Sequence, residues 1–152
     1  MIKELISPEP ATVLSASLVE QLAAAFERDG VVYSHWKSNI ALTELTAAET
    51  DLDLLVERQS LPRALTILSR LGFKRAVARW GANEPGITHY YGLDAQTGEL
   101  IHLHLSSRVL TGESYVKSHL FPLEAMLLEN VEFRGPLRVT TRSAELVLFT
   151  LR

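Results

Sequence analysis

Two aspartates, Asp51 and Asp53, head the run Asp51-Leu52-Asp53-Leu54-Leu55-Val56. Apolar residues dominate the run, which reads as a β-strand. Strand side chains alternate, so Asp51, Asp53 and Leu55 share one face while Leu52, Leu54 and Val56 take the other. Two carboxylates on one face above a hydrophobic layer repel each other unless a cation or water relieves the charge. A divalent ion does this, and Mg²⁺ in particular is commonly held by one or two carboxylates together with the phosphates of a substrate. A second polar pair, His102 and His104, alternates with Ile101, Leu103 and Leu105 and so also shares a face. Neutral imidazole ligates Mn²⁺, Zn²⁺ or Fe²⁺ more readily than Mg²⁺. With an unperturbed pKa of about 6.5 it can also act as a general base toward a hydroxyl group. Lys37-Ser38-Asn39 supplies a third feature, a polar turn after a strand, whose ammonium can pair with phosphate.

Several elements must position these groups. Ser17-Leu18-Val19-Glu20 reads as a capping box opening an amphipathic helix with Leu18, Leu22 and Phe26 at four-residue spacing and Gly30 as its stop. Val31 to Ser34 reads as a strand entering a turn around His35 to Asn39, with Asn39 capping a short helix through Ile40, Leu42 and Leu45. After the Asp51–Val56 strand, Ser60 as N-cap and Pro62 in the first turn predict a helix through Ala64, Leu65, Ile67, Leu68 and Leu71 to Gly72. A strand near Phe73 to Val77 follows, then a loop with Gly81, Pro85 and Gly86. Ile87 to Leu93 and Glu99 to Leu105 flank Asp94 to Gly98, which predicts a hairpin with a loop of about five residues. Further on, 122–128 reads as helical, 131–139 as a strand broken at Gly135 and Pro136, and Thr141 as the cap of a last helix. No internal repeat or low-complexity stretch interrupts the chain.

The chain has 152 residues, 47% of them hydrophobic, enough for one real core, and one domain over 1–152 is expected. Its net charge is −3, which disfavours a broad nucleic-acid-binding face. Arg63, Arg70, Lys74, Arg75 and Arg79 are expected on solvated faces. Without cysteine the chain has neither disulfides nor a thiolate zinc site, and any metal must use carboxylate, imidazole or carbonyl ligands. Lys3, Glu4 and Glu9 break the first ten residues, so no signal peptide is read there, and no run approaches the length of a membrane span. A cytoplasmic location is expected. Ala144 to Leu151 stays apolar up to Arg152 without a cap, which leads to the expectation of a longer parent chain.

The turn Lys37-Ser38-Asn39, a short helix and then Asp51-Leu52-Asp53 on a strand resemble the nucleotidyltransferase superfamily. His35-Trp36-Lys37-Ser38-Asn39 with the Asp51–Val56 run is similar to the N-terminal domain of bacterial thymidylate-kinase-like proteins. The resemblance covers about residues 31–105 and implies a nucleotidyltransferase-like α/β fold, an α+β mixed sheet with flanking helices. It further implies a divalent metal, Mg²⁺ or Mn²⁺, held by Asp51 and Asp53, and in this chain His102 is expected to join them as a ligand. Lys37, Ser38 and Asn39 would meet the nucleotide, and from its own imidazole chemistry His102 or His104 is expected to help activate the acceptor. The implied activity is transfer of a nucleotidyl group from a nucleoside triphosphate to a small hydroxyl-bearing molecule. Two departures stand out: Lys37 replaces the family's glycine, and His102 and His104 occupy the strand where the family carries a third carboxylate. These favour an alternative, a catalytically degenerate binding or regulatory module for a downstream domain. A phosphoester hydrolase using the same groups is a third possibility.

Other residues have simpler roles available. His35 and His89 read as lone histidines, each satisfied by one backbone partner. Trp36 reads as a packed aromatic, and Trp80 as part of a connecting loop with Asn83 and Glu84.

Overall fold

A computed structural model describes residues 16–37, 51–77, 86–113 and 116–151. Ser38, Asn39, the expected short helix after them and the Trp80 loop lie outside these residues. Helix α1 (Leu18–Arg28) begins at the expected capping box: Ser17 Oγ accepts from Glu20 N at 3.2 Å, and Ser17 N donates to Glu20 Oε2 at 2.7 Å. Two helix-end donors are thereby satisfied. The helix ends at Gly30, whose φ of +63° lets Gly30 N and Val31 N return to the carbonyls of Glu27 and Phe26. This reversal uses up Val31, so strand β1 covers Tyr33–His35 and not the expected 31–34.

Strand β2 (Leu52–Val56) leads into helix α2 (Leu61–Arg70). Ser60 does not cap α2 through its side chain. It is itself in a helical conformation, and its Oγ donates to Glu57 Oε2 at 3.1 Å and accepts from Val32 N at 3.2 Å. Strand β3 (Lys74–Arg75) is shorter than expected; β4 (Ile87–Leu93) and β5 (Leu100–Ser106) form the predicted hairpin. A second hairpin, β6 (Val109–Glu113) and β7 (Val116–Phe121), was not expected from the sequence and forms its own two-stranded sheet. Helix α3 (Glu124–Glu129), the hairpin β8 (Val131–Arg134) and β9 (Leu137–Thr140), and helix α4 (Arg142–Thr150) complete the order. Thr141 precedes α4 as expected but makes no side-chain cap.

Among the described residues the main sheet has seven strands, in the order β3-β4-β5-β2-β1-β9-β8. Strands β2 and β5 run parallel, as do β1 and β9, while the other neighbours are antiparallel. The fold is therefore a mixed-sheet α/β domain with flanking helices, of the expected class. Among the described residues, no helix is long and apolar enough to cross a membrane.

Alternation along the strands decides what each sheet face does. Leu52, Leu54 and Val56 of β2 and Ile101, Leu103 and Leu105 of β5 pack with Leu22 and Phe26 of α1 and Ile67 and Leu68 of α2 in the main core. Contact here is tight: a Cβ on Gly92 of β4 would come 2.7 Å from both Leu18 Cδ2 and Phe73 Cε1. On the opposite face Leu55 joins Trp36, Val109, Leu127, Ala144 and Leu148 in a second buried cluster. Trp36 is a packed aromatic, as read from the sequence. That cluster fills only part of the second face, and the remainder carries the polar groups described next.

Candidate functional site

Because β2 and β5 are parallel neighbours, Asp53 stands level with His104. The two side chains point to the same face, and His104 Nδ1 lies 3.0 Å from Asp53 Oδ1. One step toward the start of both strands the contact repeats, with His102 Nδ1 at 2.9 Å from Asp51 Oδ1. His104 Nε2 is 3.8 Å from Asp51 Oδ2, which links the two pairs. All four residues proposed from the sequence as catalytic thus meet on one sheet face.

Lys37 arrives from the end of β1. Its Nζ is 3.6 Å from Asp53 Oδ1 and 4.5 Å from the centre of the Trp36 ring. The ammonium is therefore directed at a carboxylate, and the Trp36 face adds a cation–π contact.

The two carboxylates differ in setting: the Asp53 side chain is 15% exposed and that of Asp51 52%. Burial raises the Asp53 pKa, but the hydrogen bond from His104 and the charges of Lys37, His104 and His35 together outweigh it and hold the group below its ordinary value. Asp53 is accordingly a carboxylate at neutral pH.

A third imidazole, expected to be solitary, belongs to the same cluster. His89 on β4 is the register partner of His104, and its Nδ1 is 3.2 Å from His102 Nε2. The three rings pack edge to face or stacked, with centroids 4.3 to 5.4 Å apart. Tyr91, opposite His102, lies parallel to that ring at 4.4 Å. One ring nitrogen from each of His89, His102 and His104 lies within 4.8 Å of the others, and this half-buried group can hold a metal ion.

His89, expected from the sequence to be a lone histidine with one backbone partner, reaches the cluster through the register of the hairpin. A five-residue loop would pair Leu93 with Glu99 and set His89 against Leu103, on the core face. Leu93 instead pairs with Leu100, which sets His89 against His104. The extra residue follows from Asp94, whose Oδ1 accepts from Gln96 N and Thr97 N and whose backbone N donates to Glu99 O. Gly98 closes the turn at a φ of +74°. An Asp followed by Gly four residues later signals such a turn, but strand alternation alone does not fix its length.

A cavity of about 530 Å³ lies at the other end of β2, lined by Val56, Glu57, Arg58, Ser107, Arg108 and Glu124 among others. None of the acid or imidazole groups of the cluster lines it. The chemistry therefore concentrates at the sheet face, away from this concavity. Comparison with protein-family models, curated proteins and solved structures gives no match for the chain.

Proposed function

We propose that this sheet face is the site of a metal-dependent nucleotidyltransferase-like domain acting on a small hydroxyl-bearing acceptor. One observation carries the reading: Asp51 just before β2, Asp53 on it, and His102 and His104 on the adjacent parallel strand β5 converge on one face. The order helix, strand, Lys37 turn and acid-bearing strand supports assignment of the mixed sheet to the nucleotidyltransferase type.

The reaction that fits is attack of an acceptor hydroxyl oxygen on the α-phosphorus of a nucleoside triphosphate. The bond from that phosphorus to the bridging oxygen breaks, pyrophosphate leaves, and the hydroxyl proton passes to a basic group of this face. A divalent ion, when bound, would neutralise developing charge on the phosphate oxygens. The donor set fits such an ion, since it offers carboxylate oxygens and imidazole nitrogens at one place and a buried His104 Nε2 that makes no hydrogen bond among the described residues. Lys37, whose ammonium lies 3.6 Å from Asp53 Oδ1, would meet phosphate once a nucleotide competes with that carboxylate. Ser38 and Asn39 are proposed to complete nucleotide contact from the same turn.

A second reading, a binding module without turnover, is favoured by the presence of imidazoles where a third carboxylate would stand and by the engagement of Lys37 with Asp53. Measuring pyrophosphate release from nucleoside triphosphates with Mn²⁺ or Mg²⁺ and a mixture of hydroxyl acceptors separates the two. The transferase reading expects release that falls about 10–100-fold in Asp51→Asn and Asp53→Asn. Nucleotide binding without release supports the module, and absence of both binding and release contradicts either reading.

A further inference from the structure

The hydrogen bonds fix which nitrogens of the cluster carry protons. A carboxylate only accepts, so at the 2.9 Å and 3.0 Å contacts it is Nδ1–H of His102 and of His104 that donates to Asp51 and Asp53. A neutral ring donating from Nδ1 keeps its lone pair on Nε2. The Nε2 atom of His102 faces Nδ1 of His89 at 3.2 Å. The Nε2 atom of His104 is buried without a hydrogen bond among the described residues. The lone pair of His102 Nε2 thus accepts from His89 Nδ1–H, whereas that of His104 Nε2, 3.8 Å from Asp51 Oδ2, meets no proton donor among the described residues. An acceptor buried in this way costs free energy unless something fills its place.

We propose that His89, His102 and His104 form a three-imidazole site for a transition-metal ion of the Zn²⁺ or Co²⁺ type, in which Asp51 and Asp53, expected from the sequence to be ligands, act instead as orienting partners. Carboxylates behind ligand imidazoles are a recurrent device: they fix the tautomer and ring direction and make the ligating nitrogen more basic. Here both outer hydrogen bonds are already formed. Imidazole nitrogens ligate Zn²⁺ at about 2.0–2.1 Å, which places neighbouring nitrogens of a tetrahedral site about 3.3 Å apart. His89 Nδ1 and His102 Nε2, at 3.2 Å, already have this spacing, and the proton that His89 Nδ1 donates to His102 Nε2 without metal would have to leave that nitrogen, shifting to His89 Nε2, for an ion to bind between them; one ring nitrogen of each of the three residues lies within 4.8 Å of the others. Three protein ligands leave one position for water or a phosphate oxygen. The donor set also selects the metal, since Mg²⁺ prefers oxygen and keeps its waters.

The proposal rests on reading this face as a metal site and is independent of nucleotidyl transfer. Titration of the whole chain with Co²⁺, followed by visible absorption, tests it, with Zn²⁺ and Mg²⁺ compared by calorimetry. The expected result is one Co²⁺ per chain with the intense visible bands of a four-coordinate, nitrogen-rich site, Zn²⁺ displacing it and Mg²⁺ failing to. His89→Ala and the more conservative His89→Gln should weaken binding at least tenfold and alter the spectrum. Asp51→Asn and Asp53→Asn should weaken it by about 10–100-fold and leave the band pattern intact, as expected of outer-shell partners. Circular dichroism of each variant confirms that it is folded. The assignment is overturned if His89 variants that remain folded bind Co²⁺ as the natural chain does. It is equally overturned if the aspartate variants change the band pattern and the histidine variants do not, or if no metal binds. Metal binding with these signatures but without pyrophosphate release would leave the three-imidazole site standing and remove the transferase reading.

Discussion

Asp53 and His104 are level with each other on parallel strands β2 and β5, and their side chains close a 3.0 Å hydrogen bond on the face opposite the main core. The contact is mostly shielded, whereas Asp51, 52% exposed, makes the equivalent contact with His102 largely in solvent. Asp53→Ala should therefore destabilise the fold by about 1–3 kcal/mol, because it leaves the His104 Nδ1 proton without its acceptor. Asp51→Ala should cost less than about 1 kcal/mol. Urea denaturation of the two variants checks the order, and equal losses would show that burial does not separate the pairs.

A second prediction concerns Asp94, which ties the hairpin turn to the start of α1. Its carboxylate accepts from Leu18 N at 2.8 Å as well as from Gln96 N and Thr97 N, and these bonds hold its pKa below the ordinary value against the opposing effect of burial. A lowered folded pKa means that the stabilisation is complete above the unfolded value of about 3.9 and is lost as pH falls through the folded value. Asp94→Asn should be less stable than the natural chain at neutral pH, with the difference shrinking below about pH 4. Melting temperatures across pH 7 to 2.5 decide this, and parallel curves would count against it.

Much of this architecture is legible in the sequence. The capping box at Ser17 and Glu20 is local chemistry, and the alternation in Asp51–Val56 fixes which side chains face the core. The cluster of Asp51, Asp53, His102 and His104 follows from two such strands once they are neighbours. Other features depend on longer-range choices. Among the described residues the β6–β7 hairpin pairs only with itself, and Val109-Leu110-Thr111-Gly112-Glu113 lacks the alternation that marks a half-buried strand. Ser60 has the composition of a cap, yet Val32 N and Glu57 compete successfully for its hydroxyl. His89 depends on the hairpin register, where a single residue of loop length moves a side chain from one face to the other.

Gly92 supplies a third prediction. A Cβ there would press against Leu18 and Phe73 at 2.7 Å from the core side of β4. Gly92→Ala should destabilise the protein by about 1–3 kcal/mol through overpacking. Since the strain falls on the face away from His89 and Tyr91, metal affinity of the folded fraction should be unchanged. Thermal melting with a parallel Co²⁺ titration tests both halves, and an unaltered melting temperature would show that the contact relaxes freely.

Arg138 and Glu27 join β9 to α1 by two hydrogen bonds of 2.6 and 2.7 Å. The pair is part-exposed, so its coupling should amount to no more than about 1 kcal/mol and weaken with salt. A double-mutant cycle of Arg138→Ala and Glu27→Ala at low and high ionic strength measures it. A coupling that is large and independent of salt would contradict this.

On the assignment above, a metal ion is held on the sheet face shared by β2, β5 and β4. Anomalous diffraction from crystals grown with Zn²⁺ tests it most directly, because it locates the ion without assuming a function. One peak is expected at about 2.0–2.1 Å from a ring nitrogen of each of His89, His102 and His104, with Asp51 and Asp53 behind the rings. A peak bound only to Asp51 and Asp53 oxygens would keep the metal site and overturn its ligand assignment, and no peak on this face at saturating Zn²⁺ would contradict the claim.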